Sequence, residues 1–134
     1  PKGSAYWRHW IEFVRRQLAK NKLIDPSDVN LFQVAKTTDQ AVGYIDDFYR
    51  IYHSIRYVRG KTILRLNREI SGKTLTQINR DFKDILTRGK IEISPPAEEE
   101  IKENEHVDLP RLSMNFNLHK FSRLCELIRA INKD

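Results

Sequence analysis

The stretch that decides the fold is Ile55-Arg56-Tyr57-Val58-Arg59-Gly60-Lys61-Thr62-Ile63-Leu64-Arg65-Leu66. Before it, apolar residues recur every three or four positions; within it they fall in two β-prone runs divided by an Arg-Gly pair. That pattern predicts two strands and a tight turn, antiparallel because so short a connection leaves no room for a crossover. Downstream, Ser71-Gly72-Lys73-Thr74 leads into a helix with the stripe Leu75, Ile78, Phe82, Ile85 and Leu86, and Gly89 suits its C′ position. Ile91 and Ile93 mark a strand over 90–94, ended by Pro95-Pro96. Leu112, Met114 and Phe116 alternate as another strand. Asn117 can cap a final helix whose apolar face is Phe121, Leu124, Leu127, Ile128 and Ile131.

Upstream, Tyr6, Trp7, Trp10, Ile11, Val14 and Leu18 draw one stripe on a helix over about 5–20, with Ser4 as its cap. Asp25-Pro26 opens a short helical turn, and Leu31 to Ala35 is a brief extended run. Thr37 or Thr38 caps a helix reaching about residue 53, its buried face made of Ala41, Ile45, Phe48, Tyr49 and Tyr52. Residues 56–132 are thus expected to form a small four-stranded sheet backed by helices, a mixed α+β layer pair. The two N-terminal helices need an apolar surface to cover, from that sheet or from another subunit. Tyr6, Trp7, Trp10 and Val14 are the candidate interface residues.

The chain has 134 residues and a net charge of +6. Residues 1–67 carry 12 basic and 6 acidic side chains, residues 68–134 carry 12 of each, so the excess lies in the first half. From Arg50 to Arg68 there are six basic positions and no acid: Arg50, Arg56, Arg59, Lys61, Arg65 and Arg68. The second half holds Glu98-Glu99-Glu100, Glu103, Glu105 and Asp108 in a segment, 95–108, that reads as an exposed, mobile loop. A basic field attracts phosphate or nucleic acid, or pairs with such an acidic segment in cis. No apolar stretch is long enough to span a bilayer. The cytoplasm is the expected location, and the lone Cys125 excludes an internal disulfide and a cysteine-cluster zinc site.

Motifs for chemistry are sparse. Gly-Lys-Thr occurs at 60–62 and 72–74, but a phosphate loop needs a glycine five residues earlier, where Ile55 and Asn67 stand. His9, His53, His106 and His119 show no metal-ligand spacing, and neither a metal nor a cofactor is expected. No carboxylate pair stands in an apolar setting as a poised acid and base. Tyr49, Tyr52 and Tyr57 interleave with arginines, a pattern seen in single-strand stacking platforms and, more often, in ordinary helix packing.

Several stretches carry a resemblance: Tyr6-Trp7 with Trp10, Ile24 to Val29, Phe48 to Ser54, Arg56-Tyr57-Val58, Leu66 to Ile70, Leu75 to Phe82, Leu109 to Leu112, Phe116-Asn117 and Phe121 to Asn132. In order and spacing they resemble the C-terminal part of larger bacterial members of the LOG (Lonely Guy) family, often labelled lysine decarboxylases. The resemblance implies a Rossmann-like domain, a tendency to dimerise, and hydrolysis of the N-glycosidic bond of nucleoside monophosphates. Residues 1–50 would then be the closing helices of the Rossmann-like domain and 51–134 a ββαββα-type extension. The family's proline–glycine–glycine, glycine–threonine and glutamate segment is not in this sequence. By resemblance the catalytic portion lies upstream of Pro1, and this chain is an accessory region, catalytically incomplete, partnered by that Rossmann-like portion and by further copies. Nothing singles out a lysine to hold pyridoxal phosphate. Arg50, His53, Arg56 and Tyr57 are the candidates for lying near phosphate or nucleotide, with no catalytic residue assigned. The alternative reading is a small basic nucleic-acid- or phosphate-binding module, which the acidic segment argues against.

Overall fold

The computed structural model describes residues 5–134. The Ser4 cap lies outside the described residues; at the start of helix α1 (Tyr6–Phe13), Ala5 provides no side-chain cap. The chain continues in wider π-type turns over Val14–Ala19, so the expected helix is present with a loosened second half. Asp25 caps the 3-10 turn Pro26–Leu31, accepting from the Ser27 N–H, as its Asp-Pro start predicts. Thr37 caps α2 (Thr38–Phe48) by accepting from the Gln40 N–H.

Helix α2 stops at Phe48 rather than near residue 53 because the next residues are taken up by the sheet. Strand β1 (Tyr52–Val58) runs through the turn Arg59-Gly60 into β2 (Lys61–Leu66). Arg59 (φ 49°) and Gly60 (φ 78°) both adopt the left-handed conformation that the right-handed twist of a two-residue hairpin requires. Helix α3 (Gly72–Asp81) starts at the second Gly-Lys-Thr, with the Ser71 hydroxyl accepting from the Thr74 N–H. A 3-10 turn then leads to β3 (Leu86–Ile93). Gly89 is not a helix cap: at φ 70° it sits where β3 slips register against its neighbour, and the strand begins four residues earlier than alternation indicates. A short helix α4 (Glu98–Lys102), strand β4 (Arg111–Phe116) and helix α5 (Phe121–Ile131) complete the chain. Asn117 caps the turn before α5, accepting from His119 N–H, while Lys120 occupies the helix N-cap.

The sheet has the order β1-β2-β4-β3, and every pair in it is antiparallel. This corrects the expected Rossmann-like architecture. Among the described residues there is no parallel pairing, and residues 6–48 contribute no strand to the sheet. The extended run at 32–35 exists without a strand partner, so no α/β layer is built around it. The fold is mixed α+β, and its C-terminal part runs β–β–α–β–α–β–α, with the short α4 standing where a loop is expected.

Helices α3 and α5 cover one sheet face. Ile51, Leu64, Leu66, Ile78, Ile85, Ile91, Leu112, Met114, Leu127 and Ile131 are essentially without exposed surface there. All residues of this continuous core lie between 51 and 131. Asn132 locks it from the end of α5: its side-chain oxygen accepts from the Ile51 and Tyr52 N–H groups at 2.8 and 3.0 Å, and its amide donates to the Phe48 carbonyl at 2.6 Å. By contrast α1 and α2 contain no buried residue, and Val14 is the one buried residue of the π-type turns. The N-terminal segment is attached mainly through the 3-10 turn on α5, where the Ser27 and Ser122 hydroxyls meet at 2.6 Å and Arg129 donates to the Asn30 carbonyl at 3.0 Å.

Removing the Asn132 side chain leaves two N–H groups at the entry of β1 without their acceptor. Asn132→Ala is therefore expected to lower the unfolding free energy by about 2–4 kcal/mol, read from urea melts with unchanged m-value.

Candidate functional site

Alternation along β2 and β4 puts Leu64, Leu66, Leu112 and Met114 in the core and turns Arg65, Arg111 and Ser113 to the opposite face. Arg65 stands directly across from Arg111 on one side and Ser54 on the other. Two arginines on neighbouring strands repel unless an anion lies between them. Here the anion is Glu100 of α4, with no exposed surface. Its Oε1 accepts from Arg65 Nε at 2.8 Å, its Oε2 lies 3.8 Å from Arg111 Nε, and the same Oε2 accepts from the Ala97 N–H at 3.0 Å. Arg111 also donates to the His106 carbonyl at 2.6 Å.

Around this centre the segment 98–105 also pairs with Arg56 and Arg59 of the basic stretch. Arg56 meets Glu103 at 2.5 Å and also Glu105; Arg65 reaches Glu105 at 3.1 Å; Arg59 spans Glu98 at 2.8 Å and Glu99 at 2.6 Å. The expected exposed loop is thus a strap laid over the second sheet face. The correction has an electrostatic cause: the acid-free run of β1 and β2 and the acidic run at 98–105 are complementary, and the sheet places them opposite one another. Burial alone would raise the Glu100 pKa; the Ala97 N–H, the Arg65 hydrogen bond and the charges of Arg111 and Arg65 hold it below the ordinary glutamate value. Hydrogen bonds from Arg59 and its charge likewise contribute to lowering Glu99, after the backbone N–H at its own helix start and against burial.

The four candidate residues do not converge on one pocket. Arg56 belongs to the strap contacts just described. His53 sits at the register slip of β1, its Nδ1 2.9 Å from the Ser54 hydroxyl and its ring edge-on to His106 at 4.6 Å between centroids. Burial, then the His106 and Arg65 charges, depress its pKa. Tyr57 points to the other sheet face and lines an apolar groove with Thr62, Phe116, Leu118 and Phe121. Arg50 lies beyond the sheet and donates to the Asn132 carbonyl. Of the interface candidates, Tyr6 and Trp7 are exposed, Trp10 packs edge-on against Phe32 at 4.6 Å, and Val14 is buried. Glu100 belongs to the acidic run already noted, and Arg111 is the member that lies outside both charge runs. The visible signal was an arginine in an otherwise core-forming alternating run, Leu109-Pro110-Arg111-Leu112.

Among the described residues, no group of three or more His, Cys, Asp or Glu is arranged to hold a metal, and no helix is long and apolar enough to cross a membrane. Compared with family models, with curated proteins and with solved structures, the chain matches none.

Glu100→Ala strands two buried guanidinium groups, so it is expected to cost about 3–5 kcal/mol in denaturant unfolding. Removing Glu98, whose contact with Arg59 is solvent-exposed, should leave the midpoint unchanged. The depressed Glu100 pKa has a definite sign. Its contribution is complete above the ordinary glutamate pKa of about 4.3 and is lost as pH falls through the lowered folded value. The acid loss of stability should therefore be shallower in Glu100→Gln than in wild type, measured by urea melts between neutral pH and pH 3. A wild-type slope retained in that variant would assign the acid sensitivity elsewhere.

Proposed function

We propose that this chain is the accessory, structural end of a larger protein resembling the LOG-type nucleoside-monophosphate N-glycosidases, and that it is catalytically incomplete on its own. The observation that carries this reading is that the basic stretch, the best candidate for holding a phosphate, is engaged by the chain's own carboxylates. Arg56, Arg59, Arg65 and Arg111 all contact Glu98–Glu105. Cleaving the glycosidic bond of a nucleotide calls for a preorganised phosphate cradle and a carboxylate at the reacting centre, which contribute orders of magnitude in rate. The carboxylates near the arginines are already committed to structural pairs. The two Gly-Lys-Thr triplets serve as the β1–β2 turn and the start of α3.

The proposed role is then to stabilise an upstream portion of the same polypeptide, and its oligomer, through the uncovered helices α1 and α2. Tyr6, Trp7, Phe13, Val42 and Ile45 are each about half exposed or more, as expected of helices that lack their partner surface. As an alternative, a phosphate- or nucleic-acid-binding module would have to displace the strap from the arginine face before any polyanion could reach Arg65 or Arg111.

The test is release of ribose 5-phosphate from AMP. The full reading frame is expected to release it and residues 1–134 to release none. Turnover by residues 1–134 contradicts the incompleteness, and inactivity of both contradicts the parent's assignment. Filter binding of single-stranded RNA at low and physiological salt discriminates the alternative: retention that falls steeply with salt would favour it.

A further inference from the structure

Pairing across β1, β2 and β4 brings Tyr57, Thr62 and Met114 into one row on the core side of the sheet. Helix α5 begins at this end of the row with Phe121, whose ring stands edge-on to Phe116 at 5.4 Å between centroids. A groove of about 410 Å³ is left there, walled by Tyr57, Thr62, Phe116, Leu118 and Phe121, with Gly60 and the exposed Lys61 completing its lining. That volume lies in the range of small-molecule sites, and no carboxylate lines it.

The polar groups at this groove lack partners within the chain. Of the six basic residues from Arg50 to Arg68, five are engaged: Arg56, Arg59 and Arg65 by the strap, Arg68 by Asp134, and Arg50 by the Asn132 carbonyl. Lys61 is the one whose side chain has no partner among the described residues. Thr62 keeps 2% of its surface, yet among the described residues its hydroxyl makes no hydrogen bond. A nearly buried hydroxyl without a partner costs free energy that an acceptor on a ligand recovers. Helix α5 starts beside them with no side-chain cap from Lys120, which leaves the positive end of its dipole open.

An ammonium, a hydroxyl and a helix start all favour a negatively charged acceptor, and the walls favour an apolar body. We propose that this groove binds a small aromatic carboxylate, its ring among Tyr57, Phe116 and Phe121 and its carboxylate between the Lys61 ammonium and the Thr62 hydroxyl. Three aromatic walls hold a flat ring by edge-on and offset contacts. One ammonium balances one charge, which suits a carboxylate better than a doubly charged phosphate. The groove lies on the sheet face opposite the arginines, so a ligand enters without displacing the strap. The inference is independent of any chemistry performed upstream.

Isothermal titration of residues 1–134 at neutral pH with 2-naphthoate, and with the uncharged 2-naphthamide of the same shape, tests it. Naphthoate should saturate one-to-one and bind about fivefold or more tighter than naphthamide, the worth of one ion pair near a surface. Lys61→Gln should bring naphthoate down to the naphthamide level and leave naphthamide where it was. Leu118→Asp, on an exposed wall of the groove, should weaken both probes, naphthoate the more because of the added charge. Both positions are exposed, so urea midpoints should match wild type, which separates lost binding from lost folding. Naphthoate that fails to saturate even at millimolar concentration overturns the proposal. So does equal affinity for the two probes, or binding indifferent to both Lys61→Gln and Leu118→Asp.

Discussion

A carboxylate without exposed surface, Glu100, lies between arginines on adjacent strands, and the second half of the molecule is organised around it. The antiparallel register that builds the apolar core on one face brings Arg65 and Arg111 side by side on the other. Two buried guanidinium groups are not tolerated without counter-charge, since each ion carries a desolvation penalty of several kcal/mol. The strap answers that requirement from within the chain. Its short helix positions Glu100, its outer carboxylates take Arg56 and Arg59, and its far end supplies the His106 carbonyl to Arg111.

Residues 51–131 hold the apolar core on one sheet face, the ion cluster lies on the other, and Asn132 ties the last helix to the first strand. Asp134 adds a further tie, accepting from the Ser71 and Thr74 hydroxyls and from Arg68, which together hold its pKa far below the usual aspartate value. Residues 6–48 contribute helices with hardly any buried side chain. Their apolar side chains Tyr6, Trp7, Phe13, Val42 and Ile45 stay about half exposed or more.

Elements with strong local signals were legible in the sequence. The Arg59-Gly60 turn, the Asp25-Pro26 and Thr37 caps, and the alternating Leu112-Met114-Phe116 each depend on nearest-neighbour chemistry that holds in any context. The failures share one cause, which is tertiary contact. Gly89 looks like a helix cap until the register slip of β3 shows why a left-handed residue is needed there. The tyrosine stripe of α2 predicts helix as far as residue 53, but Tyr52 is claimed by the sheet because Asn132, eighty residues away, holds its N–H. The acidic segment has loop composition, and only the facing arginines convert it into an ordered cover. The Rossmann-like expectation rested on resemblance, and the all-antiparallel sheet removes it.

The central claim is that the acidic strap is an integral part of the folded body, held by the arginine face. Native-state hydrogen exchange at neutral pH tests it most directly, by comparing the N–H groups of Ile101, Glu103 and Glu105, which donate within the strap, with those of Leu64 and Leu112 in the central strands. The account predicts that strap and strands exchange only through a common opening, with the same free energy and the same dependence on denaturant. Exchange of the strap at the rate of an open loop, while Leu64 and Leu112 remain protected, would contradict it.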